Sequence, residues 1–341
     1  MRFDDRLNWD IQYYFGYVRQ AWNDKYNKIL GNVIRKDRLI KPIMKNKEAG
    51  KRLLDGDIVN KIISEKIKSN ESFMVARFGD NEMRVIRSCI HTHFHPKQDS
   101  RMTQIRSLAN GGGLFPETIE MGEEFTKISL DAAKYLDLLG VWNLWGESYV
   151  INNYARQAQV CSLGLLEPYA DYFKGKQGYM WSAALKGKKV LVIHPFADTI
   201  QKQYKNNREI IWKPFFEADE ILPKFELYTI KAVQTIAGNR DSRFNNWSEA
   251  LQWMVDECKK VEFDVAIIGC GSYGFPLAAE IKKMGKVAIH LGGATQLLFG
   301  IRGKRWDSYE AFEPLYREGW VRPSAEETPK NIEKVENSTY W

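Results

Sequence analysis

Two carboxylates one residue apart, Asp80 and Glu82, close the stretch Ser72-Phe-Met-Val-Ala-Arg-Phe-Gly-Asp-Asn-Glu82. Such a pair supplies two hard oxygen ligands, about what Mg2+ or Mn2+ takes from a protein when a substrate diphosphate provides others. Residues two apart in a regular helix diverge by about 200°, so the pair shares an ion only if a turn or an extended segment holds it. Residues 73–78 have the length and bulk of a buried strand, Gly79 permits a sharp turn, and helical residues run from 80 to 90. The same types also suit a plain helix start, with Asp80 as N-cap and Glu82 in the first turn.

Other groups could do chemistry. His91, His93 and His95, if extended, share one face at a period of two, and three imidazoles are a zinc-ligand set. Pro96, Gln98, Asp99 and Ser100 give the competing reading of a polar surface loop. Asn110-Gly-Gly-Gly113 breaks a helix expected over 98–108, and its glycines, Gly112 among them, let backbone N–H groups approach a ligand. Gly269-Cys-Gly271-Ser272-Tyr273-Gly274 has the dinucleotide-binding spacing between a strand and a helix. The acidic ribose partner expected about 20 residues later is missing, so the loop suits a diphosphate or a tight turn instead of NAD. His194 and His290, each at a strand end, are ligand contacts or satisfied core histidines. Arg302, Lys304 and Arg305 put three cations within four residues, which would stabilise charge on a departing diphosphate. Glu147 and Asp198, each just past a strand, are candidate general bases and equally candidate helix caps.

The elements that must position these residues read as α/β. Strands are expected at 141–145, 188–194, 225–233, 263–269 and 286–291, with helices at 51–69, 116–139, 149–159, 247–260 and 275–283. The fold class is a Rossmann-like, mostly parallel sheet with helices on both faces and a helical N-terminal extension. Ligands in such sheets collect at the carboxyl ends of strands, which gathers Arg77 to Glu82, His194, 269–274 and 291–296 at one rim. The domain reading is a basic extension over 1–70, the α/β domain over 71–322, and a polar surface tail over 323–341.

The 341 residues are 44% hydrophobic. No apolar run approaches the ~18 residues of a membrane span, and residues 1–30 lack the apolar segment of a secretory signal. Four scattered cysteines, Cys89, Cys161, Cys258 and Cys270, fit buried thiols in a reducing, cytoplasmic compartment. The net charge of +7 lies wholly in residues 1–70, which hold 16 Lys+Arg against 9 Asp+Glu. Such a segment either meets anionic headgroups at the inner face of a membrane or a polyanionic acceptor, or is a solvated helical extension. Its aromatics, Trp9, Tyr13, Phe15, Tyr17, Trp22 and Tyr26, suggest packing on the main body or on a second copy. No nucleic-acid partner is expected.

Arg77-Phe-Gly-Asp-Asn-Glu82 resembles the signature of the GT-D-type glycosyltransferases, a family first catalogued as a domain of unknown function. The resemblance continues through Asn110-Gly-Gly-Gly-Leu-Phe-Pro116, 190–196, 263–277 and 291–306, so it covers roughly residues 70 to 310 in order. Asn81 stands where many relatives carry glycine, which removes no ligand. The resemblance implies a metal-dependent glycosyltransferase in which Asp80 and Glu82 hold Mn2+ or Mg2+ on the diphosphate of a nucleotide sugar, a UDP-sugar. Arg77, Gly79, Gly112, His194, Gly271, Ser272, Tyr273, Gln296, Arg302, Lys304 and Arg305 fall on the nucleotide-sugar side. The acceptor would be a glycan, a lipid-linked molecule or a protein. Two other readings stand beside it: a zinc-dependent hydrolase built on His91, His93 and His95, and a non-catalytic nucleotide-sugar binding module.

Overall fold

The computed structural model describes residues 6–31, 47–170, 179–213, 215–307, 309, 312–335 and 338–341, with the backbone alone at 19–31 and 47. The basic stretch 32–46 of the expected N-terminal extension lies outside the described residues. The first half runs α1 (Arg6–Gly31), β1 (Lys47–Glu48), β2 (Lys51–Leu54), α2 (Gly56–Ser69), β3 (Phe73–Ala76) and α3 (Asp80–Phe94). It continues α4 (Arg101–Gly112), α5 (Ile119–Ala133), β4 (Leu138–Val141), α6 (Glu147–Tyr154) and β5 (Gln159–Ser162). The second half runs β6 (Lys189–His194), α7 (Ala197–Asn207), α8 (Ala218–Ile221), β7 (Glu226–Lys231), α9 (Trp247–Lys259) and β8 (Val265–Ile268). It ends α10 (Gly274–Lys283), β9 (Val287–His290), α11 (Thr295–Leu298) and α12 (Lys304–Asp307).

The strands form one sheet in the order β1-β2-β5-β4-β3-β9-β8-β6-β7. Only the β1–β2 pair is antiparallel; from β2 onward every pairing is parallel. All four residues of β3, β4, β8 and β9 are buried, because a parallel sheet is covered on both faces and needs apolar side chains on each. Alternation then splits them: Met74 and Ala76 join one apolar layer with Met83, Phe125, Trp247 and Leu277, while Phe73 and Val75 join the other with Val59, Ile63, Trp181 and Leu297. The α/β reading therefore holds, with an eight-stranded parallel core.

The connections explain where a cleft must open. Helices leaving β3 and β8 pack on the first layer, through Met83 and Phe275; segments leaving β6 and β9 pack on the second, through Ile200 and Leu297. These four strands are neighbours in the order β3-β9-β8-β6, so the chain exits alternately to opposite faces and leaves a crevice at their carboxyl ends.

Several element boundaries differ from the expectation. Residues 51–54 are strand β2, because Asp55 accepts from the Ile58 N–H and starts α2 only afterwards. The helix expected at 116–139 starts at Ile119, capped by Thr118, and ends at Ala133, leaving 138–141 to strand β4. The strand expected over 141–145 ends at Val141; Trp142 and Trp145 turn aside to donate to the Phe78 and Tyr13 carbonyls, and Asn143 and Gly146 have positive φ. Helix α4 runs on through Gly111 and Gly112 and stops at Gly113, the residue with φ 82°. The polar 323–341 segment is no surface tail: Glu327, Val335 and Thr339 are buried. Among the described residues no helix is long and apolar enough to cross a membrane.

Candidate functional site

Register places the candidate residues. Ile193 on β6 pairs with Ile268 on β8, Ile268 with His290 on β9, and Val75 on β3 with Ile289. The residues just beyond, His194, Gly269, Leu291 and Arg77, therefore stand level along the carboxyl rim. His194, Gly269 and Arg77 border a cleft of about 1050 Å³, its open mouth included, whose wall also takes in 79–82, Gly112, 233–236, Gly271, Tyr273, Gly292, Gln296 and Arg305. The expected gathering at one rim is thus observed.

Asp80 and Glu82 both border the cleft, yet they sit on the first turn of α3 and not in a turn ahead of it. The expectation of a convergent, extended pair is corrected, because helical spacing sends the two side chains in different directions. Asp80 meets Arg84 one turn along at 2.8 Å. Gly79 has ordinary angles, φ −80° and ψ 156°, so it is not there for conformational freedom. A Cβ at position 79 would fall on the Glu82 carboxylate, which folds back over the start of its own helix as a capping-box glutamate does. No cluster of three or more His, Cys, Asp or Glu among the described residues is arranged to hold a metal. The longer Glu82 side chain nevertheless folds back toward Gly79 instead of following the helical direction, and both carboxylates border the cleft, so Mg2+ or Mn2+ could take one oxygen from each and the rest from a diphosphate.

On the same cleft the glycine loop after β8 offers backbone and no charge. Gly269 is pinned: a Cβ there would lie 2.5 Å from the Gly292 carbonyl oxygen and 2.6 Å from Thr295 Oγ1. Gly271 has φ 57°, which only glycine adopts readily, and Gly274 yields the space of the His290 imidazole. Ser272 does not line the cleft; its hydroxyl donates to the Gly112 carbonyl at 2.6 Å and accepts from Trp247 Nε1 at 2.9 Å. That bond ties α4 to the loop. Tyr273 reaches the cleft, stacks on Trp247 and shares a hydrogen bond with Thr235.

Both strand-end histidines are buried and line the cleft. Burial pushes His194 down to about 3. Its Nδ1 accepts the Phe196 backbone N–H at 3.0 Å, so the neutral ring carries its proton on Nε2 and can only donate there. Burial, with the Arg77 charge second, pushes His290 down to about 3 as well.

Of the expected cations, Arg77 and Arg305 line the cleft. Arg77 lies over the Trp142 ring at 5.2 Å, and Arg305 over Tyr340 at 5.1 Å. Arg302 and Lys304 do not line it: Arg302 pairs with Asp307 at 3.4 Å and covers the Tyr316 ring, and Lys304 is exposed. Gln296 lines the cleft while its amide donates to the Ile301 and Tyr340 carbonyls.

The candidate bases are also displaced. Glu147 is fully buried outside the cleft, where its Oε2 accepts the Leu144 N–H at 3.2 Å. Asp198, half-exposed at the start of α7, pairs with Lys231 at 3.1 Å and borders no part of the cleft. The three histidines do not converge. Residues 91–94 are helical, so His91 and His95 share the face toward α1 and His93 points elsewhere. His91 bonds Gln98 at 2.9 Å and accepts from Trp9 Nε1, and His95 bonds Asp10 at 2.6 Å. This geometry removes the basis of the zinc reading.

Sequence reasoning missed three parts of the wall: Trp142, the 233–236 segment after β7, and Val335, Tyr340 and Trp341. The strongest available signal was the Tyr-Trp pair at 340–341 in an otherwise polar stretch. Glu327 anchors that stretch by accepting the Asp198 and Thr199 backbone N–H groups at 2.8 and 3.2 Å, capping α7 from outside.

The chain is similar to two solved structures. One is described as the highly conserved domain of unknown function 1792 with a distinct glycosyltransferase fold, at 11% identity over 80% of this chain and 96% of that one, TM-score 0.37. The other is a selenomethionine-substituted structure of domain of unknown function 1792, at 12% identity over the same shares, TM-score 0.36. No family model matches the chain, and no curated protein matches it.

Proposed function

We propose that the chain is a glycosyltransferase that binds a nucleotide sugar, a UDP-sugar, in the cleft at the carboxyl ends of β3, β9, β8 and β6. One observation carries the reading. The acidic first turn of α3 and the uncharged glycine loop after β8 line a single cleft, so a diphosphate there meets two carboxylates for a metal and a stretch of backbone. Asp80 and Glu82 would hold Mn2+ or Mg2+, which when bound supplies positive charge to the diphosphate.

The chain's own residues do the rest. Arg77 and Arg305 neutralise remaining phosphate charge as it grows on the leaving group. The backbone of Cys270 and Gly271, on the cleft wall, lets the phosphate oxygens approach without a charged or bulky side chain in the way. His194 donates from Nε2 and, held neutral, adds no charge. Trp142 and Tyr340 offer aromatic faces to the sugar or the base. An acceptor hydroxyl on a glycan, lipid-linked molecule or protein attacks the anomeric carbon, the C–O bond to the diphosphate breaks, and the hydroxyl proton leaves to a base other than Glu147 or Asp198.

The test is thermal stabilisation by nucleoside diphosphates with and without Mn2+, on the native chain and on Asp80→Asn and Glu82→Gln. Stabilisation by UDP that needs Mn2+ and both carboxylates is expected, with donor turnover at least ~100-fold lower in either variant at unchanged melting temperature. Nucleotide binding and turnover indifferent to both substitutions would overturn the assignment.

A further inference from the structure

Helix α1 has two unlike faces. Inward, Trp9 is fully buried, meets Tyr149 edge-on at 4.8 Å and donates to His91 Nδ1; Tyr13 stacks on His91 at 4.1 Å, and its carbonyl accepts from Trp145 Nε1. Outward, Leu7, Ile11, Tyr14, Phe15 and Val18 are 72, 48, 70, 72 and 42% exposed. Spacings of four, three, one and three keep these five on one stripe about 16 Å long. An apolar stripe this continuous on a surface helix marks an interaction face.

Charge says what covers it. The 15 residues after α1, 32–46, contain Arg35, Lys36, Arg38, Lys41 and Lys45 against Asp37 alone, whereas residues 71–341 carry 34 charges of each sign. A second copy carries the same +7 excess in its residues 1–70 and is repelled by it. An anionic surface gains from both features.

We propose that the outer face of α1 docks on an anionic lipid surface, with Leu7, Ile11, Tyr14, Phe15 and Val18 entering the headgroup boundary and the +7 excess of residues 1–70 favouring anionic over neutral lipid. Tyr14 and Phe15 suit that depth, because aromatic rings settle at the membrane–water boundary. Trp9 and Tyr13 stay in the protein and fix the helix to α3 and α6, so the docked face carries the whole domain with it.

The experiment is co-sedimentation of the full chain with phosphatidylcholine vesicles, with and without phosphatidylglycerol, at low and high salt. A Leu7→Gln/Phe15→Gln double variant, altered only at exposed positions, runs alongside. The native chain is expected to bind the phosphatidylglycerol vesicles, to release at high salt, and to lose at least about tenfold of its binding in the double variant. Absence of binding, equal binding to pure phosphatidylcholine, or undiminished binding by the variant overturns the proposal. So does a concentration-dependent dimer in sedimentation velocity that the variant abolishes while vesicles go unbound; that result gives the face to a second copy.

Discussion

Two glycine turns meet at this rim, and they use glycine for opposite reasons. After β3, Gly79 is missing a side chain so that the Glu82 carboxylate can fold over the helix start. After β8, Gly269, Gly271 and Gly274 are missing side chains so that the fixed Gly292 carbonyl, the Gly112 carbonyl and the His290 ring can close in. The first turn is crowded by a movable charged group, the second by backbone and a buried ring. Function is adjustable at the first turn, whereas the second is part of the core.

The largest effect should follow from Gly269→Ala. Its Cβ meets a backbone carbonyl at 2.5 Å that cannot rotate away, and a loss of about 3 kcal/mol in denaturant unfolding is expected. A loss under about 1 kcal/mol would break the contrast by showing slack in the loop. Gly79→Ala should cost only about 0.5 kcal/mol, because the Glu82 side chain can swing aside. Metal-dependent nucleotide affinity should still fall about tenfold in that variant. Full retention of affinity would show that the folded-back carboxylate has no part in binding.

The buried histidines sharpen the same comparison through pH. Their folded values, about 3, lie below the ordinary 6.5, so between these limits the unfolded chain holds the extra protons. Their contribution is fully present above pH 6.5 and is lost as pH falls toward 3, at up to about 1.4 kcal/mol per pH unit for each ring. Urea midpoints from pH 7 to 4 should show that slope, and His194→Gln should make it shallower by one proton. The smallest effect separates two neighbouring cations: Arg305→Ala should weaken nucleotide binding about fivefold in titration, whereas Arg302→Ala, already paired with Asp307, should change it less than twofold.

Much of the rim was legible. Apolar runs such as 265–268 and 287–290 announce buried parallel strands, and strand ends carry His194, Gly269 and His290 to one edge once the strands are parallel. The base candidates Glu147 and Asp198 were chosen for lying just past a strand, and that position does not say which way a side chain turns. The three histidines show the same limit: period two needs an extended chain, and α3 runs four residues beyond the expected end at 90 because Trp9, Tyr13 and Asp10 of α1 receive His91 and His95.

By itself the sequence determined the α/β alternation, the turn glycines and the acidic pair, since these follow from local periodicity and from residue types that few conformations accept. Only the tertiary structure decided that Ser272 serves α4 and not a ligand, and that Tyr340 and Trp341 wall the cleft. Each of those depends on contacts between segments as far as 160 residues apart, and no local pattern encodes a partner at that distance.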